Sequence, residues 1–206
     1  MKTERKPDPR PARTRAALIE AAQQILAAGD RGDASIQEIT ELAGVAQGSF
    51  YNHFASKDEL FDTAIMVTME AHADLIESVT AGLTDPLEVY VVGIRYTGRL
   101  AAQLPVMRAL VLRTGLRFVT ADVGLAPRAL RDLAAAREAG RVQVDDLART
   151  QAIVGGMVLG LFAYVEAHPD EDAAAAADDL ARGVLRLLGL DRAEADSLVG
   201  RPLPHG

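Results

Sequence analysis

Apolar residues recur along most of this chain at intervals of three and four, the spacing that lines one face of an α-helix. Leu18, Ala21, Ala22, Ile25 and Leu26 form such a stripe and predict a first helix from Thr14 to Ala28, stopped by Gly29. Ser35 with Glu38 is a capping box, and Ile36, Ile39, Leu42 and Ala43 supply the apolar face of a second helix that ends at Gly44. A third short helix is expected over Gln47–Phe54. A fourth opens on a further capping box, Ser56 with Glu59, and runs through Leu60, Phe61, Ala64, Val67, Ala71 and Leu75 to near Val79. Asp85-Pro86 then predicts a helix to Gln103, Pro105 one to Gly115, and Pro127 one to Gly140. Asp145 opens a long apolar helix to Ala167, Asp170 one that closes at Leu188 before Gly189, and Asp191 a last turn to Val199. Alternating strand patterns are scarce, so the expected fold class is all-α.

Composition narrows the possibilities. With 206 residues, 49% hydrophobic and 25% charged, the chain can bury a substantial core. It has no Cys, which excludes disulfides, thiolate metal sites and a Cys nucleophile. Met1 to Pro11 is polar and charged, with no apolar core of a secretory signal. Ala152 to Val165 is the longest uncharged apolar run, at fourteen residues. About twenty are needed to span a bilayer, so it reads as a buried helix and no membrane is expected.

The stretch with the most specific chemistry is Ser35 to Lys57. Two short helices separated by Gly44-Val45 read as a helix-turn-helix, with Gly44 free to take the positive φ of the turn. Val45, Phe50 and Phe54 would pack the second helix onto Ile39 and Leu42. Gln47, Gly48, Ser49, Tyr51, Asn52 and His53 are left on or near the outer side. Gln47 can pair bidentately with adenine and Ser49 can bond either base type, while Tyr51 and His53 suit phosphate oxygens. Gly48 costs about 1 kcal/mol relative to Ala in a helix, a concession that close approach to a DNA backbone would explain. Lys57 adds a cation beside a helix N-terminus.

These residues resemble the DNA-binding domain of the TetR family of bacterial regulators. The resemblance is carried by Thr14-Arg15, by Ser35-Ile36-Gln37-Glu38-Ile39, by Val45-Ala46-Gln47-Gly48-Ser49-Phe50-Tyr51-Asn52-His53-Phe54, and by Ser56-Lys57. Ala46 departs from the pattern: a Ser is frequent there, and a lost N-cap hydroxyl costs about 1 kcal/mol. The resemblance implies a basic arm over residues 1–13, a DNA-binding domain over 14–60 and a ligand-binding and dimerisation domain over 61–206. Implied DNA contacts are Ser35, Gln47, Gly48, Ser49, Tyr51, Asn52, His53 and Lys57, with Arg13 and Arg15 adding sequence-independent attraction. Candidate pocket residues are Met66, Met69, Tyr90, Tyr96, Met107, Phe118 and Phe162. The last two long helices should pair across a homodimer, with Gly156, Met157, Gly160 and Tyr164 at the seam; Gly155 would share in that close approach. The implied function is a cytoplasmic, nucleoid-associated repressor, released from a palindromic double-stranded operator by a small molecule, with no cofactor.

No enzyme pattern competes: there is no glycine-rich phosphate loop, Gly-x-Ser-x-Gly elbow or His-Glu-x-x-His. His72 near Glu70 lacks further ligands at metal spacing. Arg95, Arg99 and Arg113 stand in apolar helices, as salt-bridge partners or as anchors for an anionic ligand. The net charge of −7 supports the rival reading, a helical ligand-binding or interaction protein that no longer reads DNA. Its distribution weakens that support. Residues 1–15 carry six Arg and Lys against two Asp and Glu, and residues 56–206 carry fifteen against twenty-two, which accounts for the whole excess.

Overall fold

The computed structural model describes residues 10–28 and 34–204, apart from the side chain of Phe118. Within them the elements are α1 (Arg10–Ala28), α2 (Ile36–Leu42), a 3₁₀ helix η1 (Gln47–Asn52), α3 (Lys57–Thr80), α4 (Pro86–Gln103), α5 (Pro105–Thr114), α6 (Leu116–Val119), α7 (Leu125–Glu138), α8 (Leu147–Ala167), α9 (Ala173–Leu187) and α10 (Arg192–Val199). No strand occurs among the described residues, as an all-α reading requires. The chain divides into two compact units, residues 1–67 and 68–206. The division lies inside α3, beyond the expected boundary at residue 60, and places buried Phe61 and Ala64 with the first unit.

In the first unit, Leu18, Ala22, Leu26, Ile39, Phe50, Phe54, Leu60 and Phe61 form the buried centre. α1 begins at Arg10, four residues earlier than its apolar stripe suggests. Pro11 is tolerated there because first-turn N–H groups have no helical partner in any case. Residues 10–13 are therefore helical and do not belong to a mobile arm; residues 1–9 lie outside the described set. Leu42 is a second correction. It is 52% exposed, and Thr40 takes the inward place, its hydroxyl satisfied by Ile36 O (2.9 Å) and Gln37 O (3.0 Å).

The second unit is built around α4, whose Leu87, Val91, Val92, Leu100 and Ala101 are all buried. Leu133 of α7, Val154 of α8 and Val184, Leu185 and Leu188 around the end of α9 complete the core. Gly98 marks the tightest crossing: a Cβ there would stand 2.6 Å from Ala177 Cβ and 2.8 Å from Leu161 Cδ2. Arg95 is almost fully buried, and its guanidinium donates to Asp178 (2.8 Å) and to Arg201 O (2.9 Å). Arg99 reaches the same Asp178 at 2.8 Å, Arg201 pairs with Glu88, and the Tyr96 hydroxyl donates to Pro204 O. Burial alone would raise the Asp178 carboxyl, but hydrogen bonds from Arg99 and Arg95 outweigh it and hold the group below its ordinary range. Both arginines are thus committed to tying α9 and the C-terminal segment onto α4.

Several helix ends shift from their expected places. α8 is capped by Asp146, which accepts from Arg149 N at 2.9 Å, and α9 by Asp172, which accepts from Ala174 N and Ala175 N. α7 starts two residues ahead of Pro127, at Leu125. The loop before it needs Gly124: φ is +75°, and a Cβ would lie 3.1 Å from Met69 O. In the single chain α8 buries one face and leaves another open. Val154, Val158, Leu161, Phe162 and Val165 face inward, but Ala152, Ile153, Gly156, Gly160, Ala163 and Tyr164 are exposed. By length and composition α8 alone among the described helices could cross a membrane, with a mean hydropathy of 1.4.

Candidate DNA-contact face and ligand cavity

Ser35 caps α2 through a reciprocal pair, accepting from Glu38 N at 3.1 Å while Ser35 N donates to Glu38 Oε2 at 2.7 Å. Those bonds, first from the Ser35 backbone and then from its side chain, hold the Glu38 carboxyl below its ordinary value. α2 stops where Ala43 N and Gly44 N bond back into its last turn and Gly44 takes φ +64°. Val45 N then donates to Thr40 O at 3.0 Å, turning the chain into η1.

The short helix expected over Gln47–Phe54 is a 3₁₀ helix, η1, which ends at Asn52. Its ladder includes Ser49 N→Ala46 O at 2.8 Å and His53 N→Phe50 O at 2.9 Å, both three residues apart. Ala46 offers no side-chain cap, Gly48 weakens the centre, and six residues give few α-type bonds. The short helix is oriented by two aromatic anchors on its inner side. Phe50 is fully buried, and Phe54 packs at a ring separation of 6.1 Å.

The opposite side is polar and open. Gln47, Gly48, Tyr51 and Asn52 are exposed, Tyr51 to 64%, and Ser49 and His53 are half-buried. The Tyr51 ring stands edge-on to Phe50 at 5.3 Å, so its base is fixed while its hydroxyl points outward. No Cβ at Gly48 would meet any atom within 4 Å; the position is open, as a surface for a large partner requires. Arg13 is exposed on α1. Arg15 is also exposed, yet its guanidinium lies 5.1 Å over the Phe54 ring, which restrains it beside the short helix. Lys57 has a structural duty that sequence reasoning missed: its Nζ donates to Ala34 O at 2.7 Å, joining the entry of α2 to the start of α3.

The second unit holds a cavity of about 50 Å³ between α4, α7 and α8, with Ile76 and Val119 also in its lining. Its walls are apolar except for Tyr90, Thr97, Asp132 and Gln151. Tyr90 Oη donates to Gln151 Oε1 at 2.7 Å, and burial, then the charge of Asp132, push the phenol well above its ordinary value. Burial likewise raises the Asp132 carboxyl, against the opposing hydrogen bond of Arg131 at 3.0 Å. Behind Thr97 lies His72, almost fully buried, with Nε2 3.2 Å from Thr97 Oγ1. Burial lowers this imidazole to about 4.

Of the seven pocket candidates, Tyr90 lines this cavity. Met66 is exposed and belongs to the first unit, and Met69 is buried against Gly124. Met107 and Phe162 are buried in the core away from the cavity lining, Tyr96 is bound to the C-terminal segment, and the Phe118 side chain lies outside the described set. Sequence reasoning passed over Thr97, Asp132 and Gln151. A polar residue on an otherwise apolar helical stripe is the signal that could have found Thr97. Gly155 is also corrected, because it faces Val119 inside the chain: a Cβ there would be 2.6 Å from Val119 Cγ1. Gly156 and Gly160 have nothing within 4 Å, Met157 is half-buried, and Tyr164 is exposed with its ring stacked on His168 at 4.3 Å. Among the described residues no cluster could hold a metal ion.

Known proteins share both units. Residues 18–64 match the family model described as bacterial regulatory proteins, tetR family, and residues 85–201 match the tetracyclin repressor-like C-terminal domain. The "Probable acrEF/envCD operon repressor" of Escherichia coli (strain K12) is 27% identical over 165 residues, 72% of this chain and 74% of that protein. The crystal structure of RolR without ligand is 28% identical, with a TM-score of 0.74 over 93% of this chain and 98% of that one. RolR in complex with resorcinol gives 28% and 0.65, over 95% and 97%. FadR from Bacillus subtilis in complex with stearoyl-CoA shares the fold at 19% identity, with a TM-score of 0.65 over 85% and 99%. An exposed polar face on an aromatic-anchored helix-turn-helix, an apolar-lined cavity in a second helical unit, and matches that extend over both place the chain in the tetR family of bacterial regulatory proteins, as a ligand-responsive DNA-binding regulator.

Proposed function

We propose that the protein is a homodimeric repressor that leaves a palindromic operator when a small molecule enters the α4–α7–α8 cavity. The observation that carries DNA reading is the outer side of η1, where Gln47, Tyr51 and Asn52 stand exposed while Phe50 and Phe54 are buried beneath them. Gln47 and Ser49 read base edges, and Tyr51 and His53 bind phosphate oxygens. Ser35, Asn52 and Lys57 flank these contacts, and Gly48 lets the backbone approach. Arg13 and Arg15 supply attraction that does not depend on sequence.

Dimerisation accounts for the exposed apolar stripe of α8. Ile153, Gly156, Gly160 and Tyr164 follow one helical face, and Leu180, Gly183 and Leu187 continue it on α9, where Gly183 abuts Met157. A second copy laid against both stripes buries them in a four-helix seam, with the glycines allowing close approach. Two recognition helices then address half-sites about one DNA turn apart, roughly 34–36 Å.

Release follows from α7. Its Leu125, Ala126, Ala129 and Asp132 face the cavity. On its outer side Arg128 bonds Glu70 (2.6 Å), Asp74 (2.7 Å) and Glu77 (3.1 Å) of α3, and Arg131 bonds Glu77 (3.0 Å). A ligand that displaces α7 pulls on α3, the helix that begins at Lys57 directly after the DNA-contact face. Because such coupling is reciprocal, operator and effector weaken each other's binding, by about 1–3 kcal/mol. The comparisons support this reading through a curated operon repressor and through RolR solved with a small ligand.

The test is selection of sites from a random duplex pool by the full chain, followed by mobility shift with the selected duplex. Gln47→Ala and Tyr51→Ala are each expected to weaken specific binding by about tenfold, on the order of 1–2 kcal/mol for a base or phosphate contact. Retention of full affinity by both variants would overturn the assignment.

A further inference from the structure

We infer that the cavity selects a small neutral ligand bearing a hydroxyl group on a compact apolar body, best represented by a single-ring phenol, and that Asp132 is the residue that makes the selection. This rests on the reading of the cavity as the effector site. Thr97 is engaged by His72, and three further polar groups meet the cavity from three helices: Tyr90 on α4, Asp132 on α7 and Gln151 on α8. Tyr90 has spent its proton on Gln151 Oε1, which leaves the phenolic oxygen as an acceptor and the Gln151 amide N–H₂ as a donor. Asp132 receives Arg131 on Oδ1 through both Nε and Nη2 at 3.0 Å, and no hydrogen bond from a described residue reaches Oδ2. The wall therefore offers acceptors and a donor together. A hydroxyl both donates and accepts, and so satisfies both kinds; a carboxylate can only accept and an ammonium can only donate.

Charge gives the same answer. Asp132 shares the Arg131 guanidinium with Glu77, so charge bears on anions; an ammonium is disfavoured instead because it cannot accept from the Gln151 amide. An entering anion meets the Asp132 carboxylate with no cation among the cavity-lining residues. A neutral donor needs no further counter-ion. The walls set the body: Val89, Ile94, Val154 and Val158 line the space with apolar surface and suit a compact apolar group.

Calorimetry on the full chain without DNA tests this, with resorcinol, benzoate and benzylammonium as probes. Resorcinol is expected to bind at least tenfold more tightly than either charged probe. Asp132→Asn should weaken resorcinol at least tenfold, and Gln151→Leu should do so independently if Asp132→Asn does not fold. Val158→Phe, which fills the cavity, should remove binding of all three. Equal or tighter binding of benzoate or benzylammonium, no resorcinol binding at millimolar concentration, or full affinity in both polar variants overturns the inference. Failure to bind an operator would instead overturn the regulatory reading, and the DNA-free measurement keeps the two apart.

Discussion

His72 and Thr97 form a buried polar pair whose behaviour follows from burial alone. The imidazole sits at about 4 in the folded chain against an ordinary 6.5, so it is neutral at physiological pH and needs no counter-ion. On unfolding it regains the ordinary value and takes up a proton at any pH between the two. The unfolded state then binds more protons than the native one, so this residue costs no stability above about 6.5 and an increasing amount as pH falls toward 4. Across that interval the loss is on the order of 3 kcal/mol at about 1.36 kcal/mol per pH unit. Chemical denaturation at pH 7 and pH 4.5 should show a smaller difference for His72→Gln than for the parent chain; equal differences would mean that His72 is not held neutral. Its partner Thr97, 25 residues away, was not legible in the sequence.

At the scale of elements, the capping boxes, Asp85-Pro86 and the start at Asp191 were legible because they are local chemistry within four residues, whereas the Glu194 partner of Asp191 came from the structure. η1 was legible as a short helix, but its 3₁₀ form was not, because that depends on how Phe50 and Phe54 are seated. α6 escaped notice because four residues carry too little periodicity to register. The link between α3 and α7 is the element-scale feature with functional weight. Arg128 faces three carboxylates of α3, which are 42 to 69% exposed, so the pairs add little stability in solvent. Their value is positional. Arg128→Ala is expected to leave the melting temperature within about 2 °C, as for surface pairs, while raising several-fold the effector concentration that releases the operator in a mobility shift. An unchanged release midpoint would show that α7 does not signal through this contact.

For the whole molecule, the decisive surface is the apolar stripe of α8, with Ile153 49% and Tyr164 41% exposed in the single chain. A charge placed in the proposed seam has no room and no counter-ion, so Gly160→Arg should convert a dimer to monomers in sedimentation and abolish operator binding, with helical content retained. A dimer of undiminished stability in that variant would place the seam elsewhere. The distribution of charge belongs to the same scale, since the acidity lies beyond residue 56 and leaves the DNA-contact end free of the net −7. By itself the amino-acid order determined the helical class, most helix starts, and the helix-turn-helix with its outward Gln47, Tyr51 and Asn52, because periodicity, caps and turns act over a few residues. Tertiary structure decided that Arg95 and Arg99 hold Asp178, that Gly155 packs inside the chain, and that Tyr90, Asp132 and Gln151 meet at one cavity. Tyr90, Asp132 and Gln151 lie 19 to 61 positions apart and Arg95 lies 83 from Asp178, and only the packing of α4, α7, α8 and α9 brings such distant positions within hydrogen-bond or van der Waals reach.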